Sequence, residues 1–298
     1  MAGPAPFYPI NGPRPRPPRF GLLPSALVLP GDSPGLSPDN SNDRRVFNGV
    51  EVWPYPSDLP VGFDQCATGG SPSNEKTAGE LPDTVRFPGY TIFEPVTCTA
   101  RSIHDQAIYA DRAMAALEAG QGWQIERQFW TGELFPGEAH LADAHATVLN
   151  AGAATNPTNG LALLEQAVAD SGRFGWIHAT AAQVSVWSAF YQIFQDGPIL
   201  RTILGTVVVP GAGYDGSGPP GETPATGTLD WAYATGPVEV RLSDAYLVPG
   251  KLSEAITFSP TSDNTITYRA ERNVVADWDD TLHAAVLIDR CQTDCTAA

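Results

Sequence analysis

Gly175-Trp-Ile-His-Ala-Thr180, the run Ala181–Phe194 and then Leu200-Arg-Thr-Ile-Leu-Gly-Thr-Val-Val-Val209 form the stretch that decides the fold. Phe174–Ala179 mixes aromatic and β-branched residues and predicts a short strand. Ala181–Phe194 carries Val184, Trp187, Tyr191 and Phe194 at helical spacing, and Gly197-Pro198 stops it. Ile203–Val209 is rich in β-branched residues and predicts a buried strand. Gly211–Gly227 is a Gly/Pro loop, and Trp231–Ala234 and Val238–Leu242 read as returning strands.

Outward from this stretch the pattern stays mixed. Ser102 and Asp105 suit a helix start. Ile103, Ala107, Ala110, Met114 and Leu117 then recur at alternating spacings of four and three, one core stripe, with Gly120 and Gly122 as its end. Shorter helices are expected at Gln124–Trp130, Ala139–Leu149 and Leu161–Ala169. Ile266–Arg272 and Ala284–Ile288 read as closing strands. Val46–Tyr55 is extended. Thr84–Thr99 is rich in β-formers but interrupted by Pro88 and Pro95, which confine a strand to an edge or bulge. Residues 64–99 therefore read as a projecting two-strand loop, and the whole chain as α+β.

The N-terminal portion differs in kind. The first sixty residues hold 14 of the 28 prolines. Runs such as Pro13-Arg-Pro-Arg-Pro-Pro18 cannot form a helix or a central strand, because each proline removes an N–H and fixes φ. They favour extended polyproline geometry. Residues 1–50 carry a net charge of +2, so the other 248 residues carry −18 of the formal −16. An acidic chain of pI about 4.5 is a poor general nucleic-acid binder, since phosphate contacts need Lys and Arg. Met1-Ala-Gly-Pro is not a secretion signal and no apolar run is long enough to span a membrane, so synthesis in a cytosol is expected. Cys66, Cys98, Cys291 and Cys295 are expected to be free thiols rather than a disulfide framework.

The catalytic motifs fail on inspection. Gly211-Ala-Gly-Tyr-Asp-Gly216 fits G-x-G-x-x-G, but Ser217-Gly-Pro-Pro-Gly follows where a dinucleotide site needs a helix N-terminus. Gly31-Asp-Ser-Pro-Gly35 fits G-x-S-x-G, but Pro34 has no N–H for an oxyanion hole. His140 and His145 are five apart, off the metalloprotease spacing of four, and read as a solvated helix surface. His104, His178 and His283 read as structural. Asp277, Asp279 and Asp280 would hold a cation weakly or simply form a turn. No nucleophile, base and orienting group assemble, so neither an enzyme nor a bound cofactor or metal is expected.

With Gly213-Tyr-Asp-Gly216 and Leu229-Asp-Trp-Ala-Tyr-Ala-Thr-Gly-Pro-Val-Glu-Val-Arg241, the deciding stretch resembles the major capsid proteins of tailed bacteriophages, whose fold encapsulin shells share. Asp111-Arg-Ala-Met-Ala-Ala-Leu-Glu-Ala-Gly120 with Ile125-Glu126 resembles that family's long helix and following turn. Tyr268-Arg-Ala-Glu-Arg272 to Leu287 resembles its closing strands. The resemblance implies an extended N-terminal arm (1–50), an extended β-hairpin loop (51–100), a peripheral domain with the long helix (101–150 and 255–298) and an axial domain (151–254). It implies that Phe7, Tyr8, Ile10, Phe20, Leu22, Leu23, Leu27, Val28 and Leu29 anchor the arm on neighbouring subunits. It also places an adaptable loop, with Gly211, Gly213, Tyr214, Gly216, Gly218 and Gly221, near the capsomer axis.

The expected partners follow: a homo-oligomer of pentamers and hexamers in one icosahedral shell, with portal, scaffold or decoration proteins, no membrane, and packaged double-stranded DNA without sequence-specific contact. An acidic wall would repel the genome rather than bind it. The expected location is a virion assembled in host cytoplasm. An encapsulin-like compartment shell is the alternative within this fold. A secreted carbohydrate-active enzyme or adhesin is the alternative of another class, suggested by seven Trp and the acidic pI. No carboxylate pair marks the latter as catalytic.

Overall fold

Asn156-Pro-Thr-Asn159 starts a helix that satisfies its own first turn. The Asn156 side chain accepts from the Asn159 N–H at 2.9 Å, and Pro157 sits where a missing N–H costs nothing. A computed structural model describes residues 13–30, 48–54, 83–99, 106–248 and 265–292. It contains helices α1 (Leu22–Ser25), α2 (Gln106–Thr131), α3 (Pro157–Asp170) and α4 (Ala181–Ala189). Its strands are β1 (Leu27–Pro30), β2 (Val50–Val52), β3 (Val85–Phe87), β4 (Tyr90–Thr99), β5 (Thr147–Val148), β6 (Trp176–Thr180) and β7 (Ile193–Asp196). Then come β8 (Ile199–Thr202), β9 (Val207–Gly211), β10 (Leu229–Thr235), β11 (Val238–Leu242), β12 (Tyr246–Val248), β13 (Thr265–Trp278) and β14 (His283–Asp289). The α+β class is as expected.

The chain divides into two compact units. The smaller comprises Met1–Pro18, Phe93–Gln121 and Tyr246–Glu271; the larger comprises Arg19–Ile92, Gly122–Ala245 and Arg272–Ala298. In the smaller unit β12 pairs antiparallel with the first half of β13, and Thr97 meets Thr267 at 3.0 Å. Ala110, Ala113, Ala115 and Leu117 are its buried helix residues among those described.

The larger unit is built on a seven-stranded mixed sheet, ordered β5-β14-β10-β6-β9-β8-β7. Its central strands are buried on both faces, which explains their near-continuous apolar runs. On one face Ile177, Ala179, Ala232, Ala234, Val286 and Ile288 meet Leu161, Leu164 and Val168 of α3 and Val184 and Trp187 of α4. The alternation follows the period of two along each strand. On the other face Tyr233 stacks edge-on with Trp130 at 4.9 Å, and His178 meets Phe129 at 5.4 Å. A second run of pairing joins β1 to β11 in parallel and β11 to the second half of β13 antiparallel.

Several expectations need correction. α2 does not end at Gly120 and Gly122 but continues to Thr131. Each glycine costs a helix roughly 1 kcal/mol, yet burial of Ile125, Phe129 and Trp130 overrides that. The expected core stripe is only partly right: Ala110 and Leu117 are buried, Met114 is half-buried, Ala107 is exposed, and Ile103 lies outside the described residues. Residues 139–146 form turns rather than a helix, held by backbone bonds from Leu141 N–H to Phe129 and from Ala142 N–H to Trp130. α4 stops at Ala189, because Tyr191 takes a positive φ of 57° and the chain turns into the β7–β8 hairpin.

The expected domain limits also move. β14, assigned to the peripheral part, pairs along its whole length with β10. β11 and β12, assigned to the axial part, pair with β13 instead. Residues 85–92 are not a free projection: Phe87, Tyr90 and Ile92 are buried, Phe87 packs on Trp278 at 4.5 Å, and Thr91 donates to Asn273. The 55–82 part of the expected loop lies outside the described residues. Its two flanks do meet, as the antiparallel pair β2–β3.

Leu164 is fully buried between α3 and the sheet. Leu164→Ala is expected to cost about 2–5 kcal/mol, read as a lowered denaturant midpoint with unchanged slope.

Candidate functional site

Glu126 lies in the helical run Trp123-Gln-Ile-Glu-Arg-Gln-Phe-Trp130, next to Ile125 on the face that turns inward. Its carboxylate is buried and accepts two backbone bonds. Leu22 N–H donates to Oε1 at 2.9 Å, and Gly213 N–H donates to Oε2 at 3.0 Å. One side chain thus ties α2 to the proline-rich N-terminal segment and to the loop after β9. Burial pushes its pKa up, and the backbone donors pull it partly back. Two glycines make the approach possible. Gly21 takes φ 147°, and a side chain there would run into the Glu126 carboxylate; one at Gly213 would strike the Trp123 carbonyl.

The loop after β9 is packed, not adaptable, over its first half. Tyr214 is buried, and Trp130 Nε1–H donates to the Ser217 carbonyl at 3.1 Å. The Tyr233 hydroxyl donates to the same carbonyl at 2.9 Å, and Trp231 N–H donates to the Gly216 carbonyl at 3.0 Å. Gly211, Gly213 and Gly216 are buried, and Gly218 lies against the Trp231 ring. These glycines serve close packing, which corrects the expectation that they confer freedom. Only Gly221, which has open space around it, fits that expectation.

His178 is structural and neutral. The Thr235 hydroxyl donates to the Gly236 carbonyl, so it accepts from His178 Nε2–H at 3.0 Å. Nδ1 then accepts from the Tyr214 hydroxyl at 3.0 Å. With both nitrogens satisfied in the neutral ring, burial pushes the pKa down to about 3, and His283 adds a smaller push.

The expected acidic cluster is divided among separate partners. Asp277 pairs with Arg241, which also meets Glu239 at 2.6 Å; burial still pushes Asp277 up to about 6. Asp279 pairs with Arg173 at 3.3 Å, and Asp280 accepts from Trp278 Nε1–H at 3.1 Å. Among the described residues no group of three or more His, Cys, Asp and Glu is disposed to hold a metal. His140 and His145 are not on a solvated helix: His140 is buried, with Nδ1–H donating to the Glu138 carbonyl at 2.8 Å. They line an open cleft of about 750 Å3 with Asp143, Arg86, Asp280 and Thr281.

The surface also carries exposed apolar groups. Phe190, Tyr191, Ile203 and Leu204 stand exposed, Tyr191 by 87% and Leu204 by 78%. Ile193 pairs with Thr202, so these four lie at one end of the β7–β8 hairpin, with exposed Phe194 one step along. They form an apolar cluster at the edge of the seven-stranded sheet. Sequence reading missed it by extending α4 through Phe194 and a strand through Ile203. The expected arm anchors divide. Leu22 is fully buried in its own chain, Leu23, Leu29 and Phe20 are half-buried, and Leu27 and Val28 are exposed. Phe7, Tyr8 and Ile10 lie outside the described residues. The segment from Leu22 to Pro30 therefore belongs to the body, because Glu126 and β11 supply the partners its backbone lacks.

No protein-family model matches the chain, and no curated protein matches its sequence. Solved structures do match its fold. The capsid of an empty GTA particle, computed with C5 symmetry, is 13% identical, covering 98% of this chain and 96% of that one, with a TM-score of 0.54. The capsid of the native GTA particle gives 12% identity over 98% and 96%, with a TM-score of 0.55. Gordonia phage Cozz gives 12% over 98% and 92%, with a TM-score of 0.50. The chain has the fold of these structures, over almost its whole length.

Glu126→Leu removes both acceptors and leaves two buried N–H groups unpaired. It is expected to cost about 2–5 kcal/mol and to expose residues 19–30 to limited proteolysis, whereas Glu126→Gln, which keeps one acceptor, loses less.

Proposed function

We propose that this chain is a structural shell subunit, a major capsid protein that assembles into an icosahedral particle enclosing a tailed-phage genome. The observation that carries this reading is the shared fold with capsid structures across 98% of the chain. The physical character agrees with it. The buried histidines and carboxylates described above are engaged in holding the fold together. The exposed apolar groups sit at sheet edges, where a second copy can cover them.

In this reading pentamers and hexamers form through the Phe190, Tyr191, Phe194, Ile203 and Leu204 edge. This replaces the Gly211–Gly227 loop as the principal axial contact, since half of that loop is packed inside the larger unit. The exposed stretch 13–18 and the segment between β2 and β3 would reach neighbouring subunits. The acidic body would face double-stranded DNA without base-specific contact, and portal, scaffold or decoration proteins would be separate chains. The subunit would reside in the virion after assembly in the host cytoplasm.

Expression of the full chain followed by light scattering and negative-stain microscopy tests the reading. Closed particles that co-purify with or package nucleic acid are the expected result. Shells holding only protein cargo would favour the encapsulin-like alternative, and a permanent monomer with hydrolase activity would defeat both. Leu204→Asp with Ile203→Asp should give folded subunits that fail to close, because burying a carboxylate in an apolar contact is costly. Removing residues 1–18 should also impair closure while leaving the larger unit folded. Removing 1–30 should destabilise that unit as well, since it deletes Leu22 and β1. Normal shells from the aspartate variant would refute the assigned edge.

A further inference from the structure

His283 presents an unsatisfied nitrogen to two carboxylates. Its Nε2 lies 2.9 Å from the Leu141 carbonyl, which can only accept, so Nε2 carries a proton. The other nitrogen, Nδ1, has no hydrogen-bond partner, and the side chain is only 3% exposed. Its facing atoms are Asp280 Oδ1 at 3.6 Å and Asp143 Oδ1 at 3.8 Å. In a neutral ring three acceptors would face one another across a buried gap. One proton placed among them turns both contacts attractive.

We propose that Asp143, Asp280 and His283 share a bound proton, and that this proton fastens the segment 139–146 onto the turn between β13 and β14. The three groups come from those two elements: Asp143 from the segment, Asp280 from the turn and His283 from the start of β14. Asp143 already shapes its segment, accepting from His145 N–H at 2.8 Å and from His140 N–H at 3.2 Å. The cleft lined by Asp143, His145 and Asp280 gives the proton a path to solvent.

The other facing groups do not supply the charge. From β6, His178 is held neutral by burial; from β10, Tyr233 is pushed well above its ordinary range. Trp278 donates to Asp280 without charge. His145 lies near enough to Asp280 to act on it, and Asp280 itself is pushed up by burial, against the pull of His283. With Nδ1 facing Asp280 and Asp143, the proposed proton is held in the clasped state and released when the segment opens. The sign follows: the clasp is fastened under mildly acidic conditions and loosens as pH rises and the proton leaves. Backbone bonds from Leu141 and Ala142 to α2 set a baseline that does not vary with pH.

The test is hydrogen–deuterium exchange of the full chain, followed in peptides covering 139–146 from about pH 5.5 to about pH 8. After correction for intrinsic exchange, wild-type protection should fall with rising pH by up to about tenfold per unit, the limit for one linked proton. His283→Gln, whose amide can still donate to Leu141 but cannot titrate, should show a flat profile. A flat wild-type profile, or an equal slope in the variant, overturns the proposal. Should His283→Gln fail to fold, nitrogen NMR of histidine-labelled wild-type protein decides. Both ring nitrogens of His283 protonated at about pH 6 is the expected result, and a bare Nδ1 there overturns it. Neither readout depends on shell assembly.

Discussion

The Glu126 carboxylate is the constraint from which the larger unit is organised. A buried negative charge is costly unless hydrogen bonds replace the lost water, and here the replacements come from two distant places. Leu22 N–H and Gly213 N–H both point at it, from segments that lie 104 and 87 residues away in the chain. At the points of contact neither segment has regular pairing, since β1 begins only at Leu27. α1 is a single turn without a side-chain cap, and residues 212–218 form no strand. The carboxylate therefore defines where both of them run. It also explains why glycine stands at positions 21 and 213, where a Cβ would collide with Glu126 itself or with the Trp123 carbonyl.

Around that anchor the aromatic residues form a layer between α2 and the sheet. Trp130 reaches Tyr214 at 4.6 Å and Tyr233 at 4.9 Å, while Phe129 and Phe87 both close on Trp278. The polar tips inside this layer are arranged in a directed series. Tyr214 donates to His178, His178 to Thr235, and Thr235 to a carbonyl. Such a series has one satisfied arrangement, which fixes the packing as well as the protonation. The result is a wall buried on both sides of its sheet, with apolar groups left at the edges.

The sequence made the interior legible and the boundaries much less so. Val238–Leu242 appears as a strand at its expected limits, and α3 and β14 are found within a few residues of theirs. Periodicity and β-branching carry these signals because they reflect burial. Errors cluster where a tertiary contact overrode a local cue. Gly120 and Gly122 read as a stop, yet burial of the next turns carried α2 through them. Prolines made Leu22–Pro30 read as an unattached arm, though a single distant carboxylate and the edge of β11 fasten it. Nothing local marks Glu126 as an acceptor for residues 104 and 87 positions away. Its only trace is a carboxylate beside Ile125 within an aromatic helical run. The hairpin edge was missed for a related reason: Tyr191 takes a left-handed conformation that its type does not announce.

The N-terminal segment shows how a body and its contacts can be separated within thirty residues. Arg14 reaches Glu118 at 3.3 Å, but both side chains are more than half exposed. An ion pair so wet contributes about 0–1 kcal/mol, too little to order a proline-rich stretch. Eight residues later Leu22 is fully buried and its N–H is fixed by a desolvated carboxylate. Within eight residues the chain thus passes from a place where its own fold holds it weakly to one where its own fold holds it strongly. For the shell subunit proposed above, that gradient would have a use. The body must be stable before assembly, or it would aggregate. The reaching segment must remain unsatisfied by its own chain, or it would gain nothing by lying on a neighbour.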